Sequence, residues 1–179
     1  MLFRSLTWLL SAGIVVVILM TPALLQSFYQ VSPTDSLKAN SLAIVLLSLG
    51  CIAAGRLADR FGAGRVFIVG SLLLLASSWA FYHSLPTRPD LLFPLYALTG
   101  LCVGIVGAVP YVMVKAFPPV VRFSGLSFSY NMAYAIFGGL TPMVVTALLK
   151  LSPMAPAYYV AGLCAVGLVV GVYLFANKR

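Results

Sequence analysis

Six apolar runs, each about as long as a bilayer is thick, follow one another along this chain with only short polar turns between them. A helix crossing the hydrocarbon core needs about 20 predominantly apolar residues, within a range of roughly 17–25. The runs fall at approximately 7–29, 38–57, 66–84, 91–114, 124–149 and 156–176. Between them lie "VSPTDS", "HSLPTRPD", "AFPPVVRFSG" and "KLSPMAP", stretches rich in turn-formers and too short to fold independently. The pattern predicts an all-α polytopic membrane protein, a six-helix bundle forming one membrane domain over residues 1–179. Pro22, Pro110, Pro142 and the row Gly100, Gly104 and Gly107 lie inside the runs. Membrane helices tolerate such residues because neighbouring groups re-satisfy the backbone.

Composition excludes the alternatives. The chain is 62% hydrophobic and 8% charged, whereas soluble domains average about 25% charged residues. A net charge of +8 does not signal nucleic acid, because the cations are scattered between apolar runs and form no basic stripe. Cys51, Cys102 and Cys164 each stand alone in an apolar run, with no C-x-x-C and no Cys/His cluster; they read as packing residues, without metal or disulfide. His83 reads as an interfacial residue. No nucleophile–base pair or carboxylate pair is visible, so the sequence predicts neither enzyme nor cofactor site.

The cations report topology. Arg4, Arg56, Arg60, Arg65, Lys115, Arg122, Lys178 and Arg179 fall on one side of the six spans, and Lys38, Arg88 and Lys150 on the other. By the positive-inside rule both termini are expected in the cytoplasm. Residues 1–23, ending in "TPA", superficially resemble a signal peptide; the apolar run continues through Leu24 and Leu25 without an A-x-A site, so a retained helix is expected.

"GRLADRFGAGR", Gly55 to Arg65, places four charged residues in eleven positions of a chain that has fourteen charges in all. These charges belong in the cytoplasmic turn between spans two and three, since each would cost about 2.5–3.5 kcal/mol at a helix centre. Gly55, Leu57, Ala58, Asp59, Arg60 and Gly62 spell G-x-L-A-D-R-x-G. This resembles the signature loop of the major facilitator superfamily, which joins the second and third helices of each six-helix half. In that use Gly55 would allow close helix packing, Gly62 would take a turn conformation closed to other residues, and Asp59 would sit at a neighbouring helix N-terminus. Ala63 and Gly64 replace the basic residues that usually come next.

"FPPVVRFSGLSFSYNMAYAIFGGLTP", Phe117 to Pro142, resembles the F-P-x-x-x-R-x-[ST]-G-L-S turn and helix of the metabolite:proton symporter branch, which includes carriers of proline/betaine, dicarboxylates and shikimate. "PAYY", Pro156 to Tyr159, is similar to the same branch. Both features belong to the second half of a twelve-helix protein. The resemblance therefore implies a C-terminal six-helix half, with no counterpart of the first. It also implies a gating loop built from Gly55, Asp59, Arg60, Gly62, Arg65, Lys115 and Arg122. Where the branch commonly has an acid, Lys115 stands here, and a lysine would repel the basic loop.

Ser127, Asn131, Tyr134, Gly138 and Thr141 recur at intervals of four and three, the spacing of one helix face. That face is a candidate substrate wall or an interhelical glue. Gln26 and Tyr29, with Gln30, form a second polar group at the outer end of span one, where Tyr29 also suits an interfacial belt. All three acids, Asp35, Asp59 and Asp90, lie outside the middle of a span, so the proton site of a coupled carrier is expected elsewhere. These observations together predict secondary-active transport of a small organic solute, with protons, in a bacterial inner membrane. The expected partners are lipid and a second six-helix half, as a separate chain or a parallel homodimer, with no nucleic acid. A non-transporting scaffold or a truncated relic is the alternative.

Overall fold

The computed structural model describes Trp8 and residues 12–116, 118–120 and 122–176. We label the long helices α1 (Ala12–Ser27), α2 (Pro33–Phe61), α3 (Ala63–Ser84), α4 (Pro89–Lys115), α5 (Arg122–Leu149) and α6 (Ala155–Ala176). The last five are long and apolar enough to cross a membrane. The first is shorter, and the start expected for it at residue 7 lies outside the described residues, as do Arg4, Phe117, Lys178 and Arg179.

While α1 ends at Ser27, short of the expected residue 29, several helices extend beyond the expected spans, most of all α2. Its 29 residues reach about 44 Å at 1.5 Å per residue, against a hydrocarbon core of about 30 Å. Lys38 and Arg56 bracket its charge-free stretch, and both ends project into the polar layer. Ser32 caps the start: its hydroxyl accepts from the Asp35 amide at 3.1 Å and donates to the Asp35 carboxylate at 2.8 Å. Pro33 comes next at the first helical position, where a missing N–H costs nothing.

Two helix pairs make the most extensive contacts, α3 with α6 and α2 with α4. Glycine sets both distances. A Cβ on Gly100 would lie 2.4 Å from the Ala43 carbonyl oxygen, and one on Gly104 would lie 2.4 Å from the Gly50 carbonyl carbon. In the other pair, a Cβ on Gly64 would meet the Phe175 amide nitrogen at 2.6 Å. Lipid tails are as apolar as leucine, so burial gives helices no reason to associate within the bilayer; close backbone approach gains dispersion instead. The apolar centre of the bundle includes Val16, Val17, Phe67, Leu74, Phe81, Met113 and Leu163.

Each proline deep in a span comes after a turn that has left α geometry. Pro22 follows a π turn at Val15–Met20, Pro110 a 3-10 turn at Gly104–Gly107, and Pro142 a π turn at Tyr134–Gly138. A proline lacks the N–H that would bond the carbonyl four residues back, and its ring crowds that carbonyl. Those carbonyls belong to Ile18, Val106 and Gly138, and each lies within the distorted turn. The distortion relieves the clash and redirects the freed carbonyls.

Candidate functional site

Carbonyls near the α1 π turn are taken up by hydroxyls. Thr21 Oγ1 donates to the Val16 carbonyl at 2.9 Å and lies 2.8 Å from the Tyr82 hydroxyl of α3. The Tyr96 hydroxyl of α4 reaches both the Val17 carbonyl, at 2.7 Å, and Asn40 Oδ1 of α2, at 2.6 Å. Phe81 stacks on Tyr96 with ring centroids 4.9 Å apart. Thr21, Tyr82 and Tyr96 are buried, so four helices meet on one polar cluster in an apolar interior. The sequence pattern did not reveal this cluster. Its signal was "TP" at Thr21–Pro22.

The same dipeptide recurs in α5. Thr141 Oγ1 donates to the Phe137 carbonyl and lies 3.0 Å from the Tyr159 hydroxyl of α6, which also accepts from Trp8 Nε1 at 3.2 Å. Trp8 in turn stacks on Phe137 at 5.1 Å. Thus a Thr-Pro at the C-terminal side of a π turn is latched to a tyrosine of another helix in both α1 and α5.

This geometry corrects the expected continuous polar face of α5. The π turn inserts an extra residue into the helical repeat and rotates the C-terminal half of the helix, so Thr141 points into the bundle while Asn131 is exposed. Asn131 Nδ2 donates to the Ser127 carbonyl at 2.8 Å; Ser127 and Tyr134 are half-buried, and Tyr134 stacks with Tyr130 at 5.8 Å. From Arg122 to Ala133 only Ala133 is buried, while Phe123 and Phe128 are 84% and 69% exposed. The first half of α5 therefore presents a mixed polar and aromatic surface outward.

A second outward polar row lies on α2. Ser41 and Ser48 are exposed and turn their hydroxyls back onto the Leu37 and Ile44 carbonyls, at 2.9 and 3.0 Å. They are seven residues apart and so share a face. Gly55, another seven residues on, has open space where a side chain would project. The expected close packing at Gly55 is thus not made among the described residues, because its face of α2 points away from α3 and α4. α1 touches both α2 and α5. At its outer end Gln26 and Tyr29 are half-buried, Tyr29 keeps a buried hydroxyl without a partner among the described residues, and Gln30 takes a positive φ of 54° that ends the helix.

The expected loop at 55–65 is nearly all helix. α2 runs to Phe61, α3 begins at Ala63, and Gly62 alone joins them with φ 88° and ψ 145°. No helix-breaker stands between Gly55 and Phe61, so the chain has no reason to uncoil there once α2 has left the bilayer. The Gly62 amide bonds the Ala58 carbonyl at 3.0 Å. Arg56, Asp59, Arg60 and Arg65 are exposed at this end. Arg60 lies over Phe61 and Arg65 over Phe175, 5.4 and 5.6 Å from the ring centroids. Lys115 donates to the Tyr111 hydroxyl on its own helix and sits 4.1 Å from that ring. Arg122 opens α5.

The fold and these faces define a polytopic, all-α integral membrane protein. Comparison with known proteins gives the family. The chain is 32% identical over 152 residues to a citrate-proton symporter of Klebsiella pneumoniae, covering 82% of this chain and 34% of that protein. It is 30% identical over 164 residues to a citrate-proton symporter of Salmonella typhi, covering 88% and 37%. A proline/betaine transporter-type protein of Staphylococcus aureus matches at 32% over 125 residues, covering 67% and 27%. No family profile matches. The chain belongs to the major facilitator superfamily, alongside these proton symporters and proline/betaine transporters. It spans about a third of the length of the curated relatives it matches. They are named as carriers, not enzymes.

Proposed function

We propose that the chain is the C-terminal half of a secondary-active carrier for a small organic solute, working in a bacterial inner membrane with both termini cytoplasmic, and that it acts only beside a second six-helix half. The observation that carries this reading is the outward-facing polar surface on two separate helices, Ser127 and Asn131 on α5 and Ser41 and Ser48 on α2. Polar groups within membrane helices face a bundle interior or a water-filled cavity, and here they face away from this bundle. Carriers of this superfamily hold substrate near the midplane between two six-helix halves. A second half laid against α1, α2, α4 and α5 would enclose the row. The names of the relatives support citrate, proline or betaine as the first solutes to try.

Asp35, Asp59 and Asp90 all sit at helix ends, so the partner half supplies the titratable group for proton coupling. The basic turn around Gly62, with Lys115 and Arg122, serves as the gating element. The experiment is uptake of radiolabelled citrate, proline and betaine into vesicles with this chain alone, with a second copy linked in tandem, and with a co-expressed six-helix first half. Uptake only in the paired arrangements is expected. Transport by an isolated, crosslink-free monomer in liposomes refutes the pairing. Cysteine crosslinking from Asn131 in native membranes should yield a dimer or heterodimer band.

A further inference from the structure

Beside the Gly62 turn, α2, α3 and α4 leave an apolar groove of about 430 Å³ between them. Ala53, Leu57, Phe61, Val69 and Leu73 help line it, and Arg65 stands at its end as the single charged lining residue among those described. We propose that this groove binds one acyl chain of an anionic phospholipid, with the headgroup phosphate held by Arg65 and its neighbours.

Three observations carry the assignment. The first is depth. Along α2 the lining runs from Gly50 to Phe61, about 16 Å at the helical rise. The groove thus begins within the hydrocarbon core at Gly50 and ends in the polar layer that the Arg56–Phe61 end of α2 has entered. The second is polarity, which has one direction: apolar and small side chains along the depth, and charge only at the end where α2 leaves the bilayer. The third is charge complementarity. Arg56, Arg60 and Arg65 stand exposed at that end beside the carboxylate of Asp59, and Arg65 is held in place over the Phe175 ring of α6. A free phosphate would match the arginines but not the groove, and a neutral lipid would match the groove but not the arginines. A phospholipid that joins both parts satisfies the whole surface, so the site ties the α2–α3 turn to the composition of the leaflet around it.

Native mass spectrometry of the full chain, released from micelles doped with phosphatidylglycerol or phosphatidylcholine, tests this. One phosphatidylglycerol should be retained about fivefold more strongly than phosphatidylcholine, the factor expected from one arginine at the membrane surface. Arg65→Gln should bring the ratio near one, Arg88→Gln at the opposite end should leave it unchanged, and excess inorganic phosphate should not displace the lipid. Ala53→Phe should abolish retention of both lipids; Leu73→Trp fills the same groove and serves if Ala53→Phe does not fold. Equal retention of the two lipids, displacement by phosphate, or retention indifferent to Arg65→Gln and to the groove-filling variant overturns the assignment. Because the readout is lipid mass, failure here leaves the transport reading untouched, and failure of transport leaves this site standing.

Discussion

Gly104→Ala and Gly55→Ala are the same chemical change in two helices, and the structure predicts opposite signs. A Cβ at Gly104 would lie 2.4 Å from the Gly50 carbonyl carbon and 2.7 Å from the Cys51 amide nitrogen, where ordinary contact begins at 3.4 Å. Both atoms are backbone, so no rotamer change relieves the clash and α2 must move from α4 by about 1 Å. A gap of that size forfeits a quarter to a half of the dispersion energy of each contact along the stripe. Overpacking of this kind costs about 1–3 kcal/mol, and the upper part of that range applies because backbone meets backbone. Alanine recovers about 1 kcal/mol of helix propensity, leaving a net loss of about 1–2 kcal/mol. At Gly55 nothing lies within 4 Å, so only the propensity gain remains. Reversible unfolding in mixed SDS micelles, followed by far-UV circular dichroism, measures both. Equal stability of the two variants would refute the claim that close backbone approach holds α2 to α4.

Single contacts set the other expected outcomes. Gly62→Ala places a side chain at φ 88° and should destabilise the α2–α3 turn by about 1–3 kcal/mol, read in the same unfolding assay. Thr21→Val keeps the shape but removes the hydroxyl shared by Val16 and Tyr82; a loss of about 0.6–1.7 kcal/mol is expected, while Ser41→Ala should change stability by no more than a few tenths. Reporter fusions at Arg179 and within residues 85–89 should report opposite compartments, and a shared compartment would rule out six spans with both termini inside.

The five helices long and apolar enough to cross a membrane were legible because hydrophobicity over about twenty residues is a coarse, strong signal that tertiary context does not override. The glycine row of α4 was legible too: Gly100, Gly104 and Gly107 meet Ala43, Gly50 and Cys51 as small residues at that spacing should. What the sequence hid were departures from the ideal helical period. Asn131 and Thr141 share a face on an ideal helix and point to different surroundings on this one, because the Pro142 ring forces a π turn between them. Charge density at Gly55–Arg65 suggested a loop, yet charge excludes a segment from lipid without unwinding it. Ser41 and Ser48 gave no signal because serine is common within membrane helices, and only the packing of the other helices shows that their face is outward.

The pairing of α3 with α6 has a consequence for how the chain is made. Synthesis delivers α3 complete at Ser84 and does not begin α6 until Ala155, a delay of roughly 4–14 s at about 5–20 residues per second. Throughout that interval the Gly64 side of α3 has no permanent neighbour, and α4 and α5 must enter the membrane beside it without occupying it. Quality control at the insertion machinery therefore meets an unfinished helix pair until α6 emerges, and a ribosome stalled between Ser84 and residue 155 leaves a product that its own later helix can never close.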